Sequence, residues 1–158
     1  MTQENEPQSS ATKPLLTVGN WSFAIIPSDW EIVDQHGIRV TLKDTFPSNV
    51  VVTEESLPEG QSLGAYIDAQ TAVLQHYVSI SELSVEPQPS PTIAGSSETT
   101  AVLLHFVTPD GSDVVQRQMY VRARQFVGIV TLTTTEADLK SADPAFQTIL
   151  MGLTFLSS

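Results

Sequence analysis

From Arg117 to Leu139 the sequence RQMYVRARQFVGIVTLTTTEADL alternates in twos and then stops alternating. Gln116, Gln118, Tyr120 and Arg122 interleave with Arg117, Met119 and Val121, the period of a strand whose two faces meet different surroundings, one of them polar and aromatic. After a basic turn, the β-branched run from Phe126 to Thr134 returns as a second strand. Thr134 or Thr135, followed by Glu136 and Asp138, has the form of a helix N-cap with acid in the first turn. The segment predicts a hairpin that runs into a helix.

The same patterning, taken from the start, leaves residues 1–14 without any period and rich in Pro, Ser, Gln and Glu, which predicts a disordered tail. Residues 15–158 then form a single domain. Leu15 to Gly19 and Trp21 to Ile26 are short β-prone runs broken at Gly19-Asn20, with Trp21 and Trp30 as core candidates. Glu31 to Val33 and Ile38 to Leu42 flank Gln35-His36-Gly37 as a hairpin, and Ile38, Val40 and Leu42 share one of its faces. The strand from Asn49 to Glu54 has Val50 and Val52 on one side and Asn49, Val51 and Thr53 on the other. Ser62 is the expected N-cap of a helix reaching about Val78. Its apolar stripe, Leu63, Tyr66, Ile67, Val73, Leu74, Tyr77 and Val78, includes Gln70, whose amide must find a partner or line a cavity. Ser81 to Val85 and Thr99 to Val107 are strands, Glu86 to Thr92 is a loop on the strength of its three prolines, and Pro109-Asp110-Gly111 is a turn before a strand from Val114. Asp143-Pro144 opens a closing helix carrying Phe146, Ile149, Leu150 and Leu153. The sum is an α+β domain, an antiparallel sheet of about six to eight strands with two main helices.

Composition narrows the function. The chain has no run near the roughly 18 uninterrupted apolar residues of a membrane span, and its first residues lack a signal's apolar region, so direct membrane insertion is not expected and a cytoplasmic location is. The absence of cysteine removes disulfides, thiol nucleophiles and cysteine-ligated metals. A formal net charge of −11 argues against nucleic acid and anionic lipid as partners. High charge also limits self-association of a protein that displays an apolar face.

Catalytic and metal patterns find little to stand on. His36, His76 and His105 make no i, i+4 pair, and His105, inside an apolar strand, reads as a hydrogen-bonded core histidine. Ser96-Ser97 lacks a nucleophile elbow, and Glu54-Glu55 and Asp110/Asp113 read as solvated turn charges. Neither an enzyme nor a cofactor or metal site is expected. What stands out is polar residues on otherwise apolar faces, namely Asn49 and Thr53 around Val51, Gln70 in its helix, and Gln116 and Gln118 in line with Val114, a pattern that suits a groove but that the residues alone explain more simply as amides capping strand edges or facing water.

The Arg117 to Leu139 segment, with its Arg-Gln start, basic turn and TLTTT-x-ADL ending, resembles the Eag chaperones of type VI secretion, within the DcrB-like, PsbP-like superfamily. Trp30 after Pro27-Ser28-Asp29, the strands GIRVTL and NVVVT, the helical AYIDAQTAVL and the closing D-P-A-F extend the resemblance over nearly the whole domain. The tail before Pro14 and the Glu86 to Thr92 segment depart from it. The resemblance implies a cytoplasmic homodimer that binds hydrophobic transmembrane helices near the N-terminus of a secreted effector and keeps them soluble until loading. Carried over by position, the effector-helix groove comprises Ile38, Val40, Asn49, Val51, Thr53, Gln70, Leu74, Val78, Val114 and Gln118. The TLTTT run is implied to be scaffold, and Arg122 and Arg124 turn charges. The alternative is a DcrB-like envelope-associated interaction module of lipoprotein origin, without a chaperone role.

Overall fold

A computed structural model describes residues 16–25, 30–36, 39–43, 48–77, 83–88, 93, 95–108 and 110–155. Among these, strands β1 (Leu16–Val18), β2 (Trp21–Phe23), β3 (Glu31–His36), β4 (Arg39–Lys43) and β5 (Asn49–Ser56) precede helix α1 (Leu63–Tyr77). Strands β6 (Leu83–Gln88), β7 (Glu98–Val107), β8 (Asp113–Ala123) and β9 (Phe126–Thr134) follow, and α2 (Leu139–Met151) and β10 (Leu153–Phe155) close the chain. The main sheet has seven strands in the order β3-β4-β5-β9-β8-β7-β6, and a second sheet has three in the order β1-β2-β10. All pairings are antiparallel. The α+β class with two helices and an antiparallel sheet is therefore observed, with the short runs at either end of the chain joined into a sheet of their own.

Alternation along β5, β8 and β9 sorts the side chains into two layers. Val50, Val52, Met119, Val121, Val130 and Leu132 are buried on one face, against the three-stranded sheet and Phe146, Ile149 and Leu150 of α2. Trp21 and Trp30 lie in this core, as the sequence predicts, and Phe23 joins them. Gly128 is required there: a Cβ would stand 2.7 Å from the Trp21 ring, so the strand dispenses with a side chain where the indole crosses it. The opposite face holds a smaller cluster in which Leu63, Tyr66 and Ile67 of α1 pack on Val102, Tyr120 and Val127. Burying each of these large side chains is worth about 1.5–3 kcal/mol.

The ends of elements show why local signals succeed or fail. Ser62 caps α1 as expected, its Oγ accepting the Ala65 N–H at 3.1 Å. Thr135 Oγ1 accepts the Asp138 N–H at 3.1 Å and donates to Asp138 Oδ2 at 3.0 Å, closing the turn that leads into α2. The helix then runs straight through Asp143-Pro144, leaving Pro144 inside it and not at its start, because a buried stripe that includes Ala142 and Phe146 outweighs the hydrogen bond lost at proline. Leu153 is not the last turn of that helix. It is in β10, opposite Phe23, after Gly152 ends the helix. Glu86-Pro87-Gln88 is likewise strand and not loop: β6 is an edge of the sheet, where proline loses no ladder bond.

Two polar side chains depart from expectation. Glu54 is 6% exposed and accepts from Asn20 N at 3.0 Å and Asn20 Nδ2 at 2.9 Å, which pins the β1–β2 turn at Gly19 to the main sheet. His105 is not a core histidine. Its side chain is 41% exposed and its Nε2 lies 3.3 Å from Glu136 Oε1.

Candidate functional site

The first turns of helix α1 pack on its face of the sheet. Leu63, Tyr66 and Ile67 are buried, Gln70 and Thr71 are half-buried, and Val73 is 48% exposed. Beside them lies an open cleft of about 420 Å³, floored by β5, β9 and β8 and flanked by Gln70, Thr71 and Val73 of the helix.

The register builds the floor in rows, because residues directly opposite in an antiparallel pair share a face. Thr53, Ile129 and Tyr120 form one row, Val51, Thr131 and Gln118 the next, and Asn49, Thr133 and Gln116 a third. Of these, all but Asn49 line the cleft, together with Glu55 and Leu104. Aliphatic groups thus alternate with hydroxyls and amides across a surface about three rows deep.

The polar groups are ordered by one another. Tyr120 Oη donates to Gln118 Oε1 at 2.7 Å, Gln118 Nε2 to Gln116 Oε1 at 3.3 Å, and Gln116 Nε2 to Thr133 Oγ1 at 3.2 Å. Each amide keeps one N–H and one lone pair free for a ligand. At the end nearest the helix start, the Tyr66 hydroxyl donates to Glu55. The Tyr66 and Tyr120 rings meet edge to face at 6.3 Å. Burial, and next to it the Glu55 carboxylate, pushes the Tyr120 phenol up to about 12 and the Tyr66 phenol upward as well.

Val51, Thr53, Gln70 and Gln118, selected from the sequence, come together in this cleft. Asn49 is half-buried beside it in the row of Thr133, and Val114 lies one row beyond it, on the Gln116 face of β8 and opposite Phe106. The register sets Val40 opposite Val52, a residue of the core face, whereas Arg39, Thr41 and Lys43 are opposite Thr53, Val51 and Asn49. A single-residue offset between the two strands separates Val40 from Val51 and Thr53. Leu74 belongs to α1, one turn after Gln70, with its side chain outside the described residues; Ile38 and Val78 lie outside them altogether.

Sequence reasoning passed over Thr131 and Thr133, which line the cleft although the TLTTT run was expected to be scaffold alone. The run does both: Leu132 and Thr134 are buried on the other face, where Thr134 Oγ1 and Ser48 Oγ are 2.7 Å apart. Gln116 and Tyr120 were visible in the alternation that singled out Gln118. Glu55 was not, because a carboxylate near a strand end looks the same in sequence whether it faces water or a cleft. Arg122, expected as a turn charge, is instead in β8 opposite Val127, its Nε donating to the Arg124 carbonyl at 3.2 Å and its Nη1 to the Gln61 carbonyl at 3.5 Å.

No protein-family model matches this sequence, and no curated protein matches it. Solved structures do share the fold. A Pseudomonas aeruginosa protein of unknown function, PA94, described as a putative regulator, is 24% identical over 85% of this chain and 90% of its own, with a TM-score of 0.53. The PsbP protein of the cyanobacterium Synechocystis is 14% identical over 97% and 98%, with a TM-score of 0.56. LpqN of Mycobacterium tuberculosis, involved in cell envelope biogenesis, is 11% identical over 84% and 81%, with a TM-score of 0.58. At such identities the likeness is one of fold, and the chain adopts the PsbP-like fold.

Proposed function

We propose that the chain is a cytoplasmic chaperone of a type VI secretion effector, binding hydrophobic transmembrane helices near the effector's N-terminus and holding them soluble until export. It acts by binding and catalyses no reaction. The observation that carries this is convergence: Val51, Thr53, Gln70 and Gln118, distant in sequence, line one open cleft of mixed aliphatic and amide character. A transmembrane helix offers a matching surface, apolar with small or hydroxyl-bearing residues at its packing positions. Size supports the match. One turn of helix about 10 Å across and about 5.4 Å long fills roughly 400 Å³, so the cleft of about 420 Å³ seats a turn and leaves the rest of the segment along the sheet. A homodimer would supply two such clefts to a longer segment.

Co-expression with the N-terminal, membrane-like region of the effector encoded beside it should yield a soluble complex. Gln70→Glu and Gln118→Glu, which place a charge against the apolar helix, should send that region to the insoluble fraction while the chaperone itself stays folded. A complex unchanged by both substitutions would place the binding elsewhere. The competing role is an envelope-associated interaction module, favoured by the shared fold with LpqN. Fractionation of the native host separates the two, since that role requires the protein in the envelope and the chaperone role requires it in the cytosol.

A further inference from the structure

We infer that Glu55 makes the cleft selective for an apolar helix flanked by Lys or Arg, an inference that rests on the binding role proposed above. Among the described residues lining the cleft, Glu55 is the one that carries charge at neutral pH; the others are aliphatic, amide, hydroxyl or phenol groups. Its carboxylate is exposed, yet held in place by the Tyr66 hydroxyl, whose ring is buried against Tyr120. Glu55 is thus a held negative charge at one end of a cleft lining that is otherwise uncharged, with Arg122 the next charge along its row, across Val127. It lies beyond the Thr53 row, opposite Val127. Along β5 it is four residues from Val51, about 14 Å at strand spacing, or about nine residues of helix.

That arrangement matches the general chemistry of membrane segments, whose apolar stretch is commonly bounded by Lys and Arg. The apolar part lies over Val51, Ile129 and Leu104, and the flanking cation reaches Glu55. The net charge of −11 favours the same partner at longer range. Glu55 would also fix direction, since a segment basic at one end only has one way to satisfy both halves of the cleft.

Two fluorescently labelled peptides of one Leu/Ala-rich helix, ended by a lysine pair or by a glutamine pair, test this by anisotropy against the full chain at low salt. The lysine-ended peptide should bind about two- to five-fold tighter, the range of a single exposed ion pair. The preference should collapse near 1 M salt, where screening acts over about 3 Å. Glu55→Gln keeps an acceptor for Tyr66 and should erase the preference, so that the lysine- and glutamine-ended peptides bind alike. Glu55→Lys should turn it toward a glutamate-ended peptide. Equal binding of the two peptides by the wild type, or a preference that survives Glu55→Gln, overturns the inference and leaves the binding role standing. If neither peptide binds, the binding role falls and this inference with it.

Discussion

Tyr120 belongs to two systems at once. Its ring completes the packing under α1, and its hydroxyl starts the hydrogen-bonded series that ends at Thr133. Because its folded pKa is raised above that of an unfolded tyrosine, the folded state holds this proton more tightly. The stability it contributes is complete below about pH 10 and is lost as pH rises toward about 12. Denaturant melts at stepped alkaline pH should therefore show stability falling across that window. Tyr120→Phe should flatten the fall and, at neutral pH, leave Gln118 less ordered. Glu54 gives a contrast between two neighbouring acids of similar sequence context. The one on the core face ties down a turn through two hydrogen bonds, and the next one along faces the cleft.

At the scale of elements, strands with two distinct faces were legible and terminal assignments were less so. The β8–β9 hairpin and the Ser62 cap follow from local chemistry, since period-two alternation and capping hydroxyls act within a few residues, whereas the helix start expected at Thr134 or Thr135 falls later, with Asp138 at the N-cap position and no acid in the first turn. Pro144 and Leu153 were misplaced because tertiary burial decided their elements: α2 keeps Pro144 within a helix that buries Phe146, Ile149 and Leu150, and β2 recruits Leu153 across the molecule. The register that sets Val40 opposite Val52 was equally hidden, as an offset of one residue leaves no trace in either strand alone. The Ser62 cap offers a clean test of α1. Ser62→Ala should cost about 1 kcal/mol in chemical denaturation, and the loosened end is the one beside Glu55 and Tyr66.

For the whole molecule, the decisive arrangement is one sheet with a core on each face, the larger against the three-stranded sheet and α2 and the smaller under the first turns of α1. Stability resides chiefly with the larger core, where Trp21, Trp30 and α2 pack, and the cleft lies on the other face beside α1. A net charge of −11 acts on the same scale, as repulsion that opposes compaction. Raising ionic strength from about 0.01 to 0.15 M shortens the screening length from about 30 to about 8 Å. The melting temperature should rise over that range in the isolated chain, and a fall would mean that specific ion pairs, and not bulk repulsion, dominate its electrostatics.

The alternation along β9 has a consequence for how such a protein can change over generations. Leu132 and Thr134 are committed to the interior, while Thr131 and Thr133 between them face the cleft. The same strand therefore carries two interleaved sets of positions, one inherited almost without latitude and one free to drift with whatever occupies the cleft. A lineage could exchange its client by substituting every second residue of β5, β8 and β9, with the fold bearing little of the cost. A library randomised at Val51, Thr53, Gln118, Thr131 and Thr133 alone would retain folded members in far greater numbers than one shifted along each strand by a single residue.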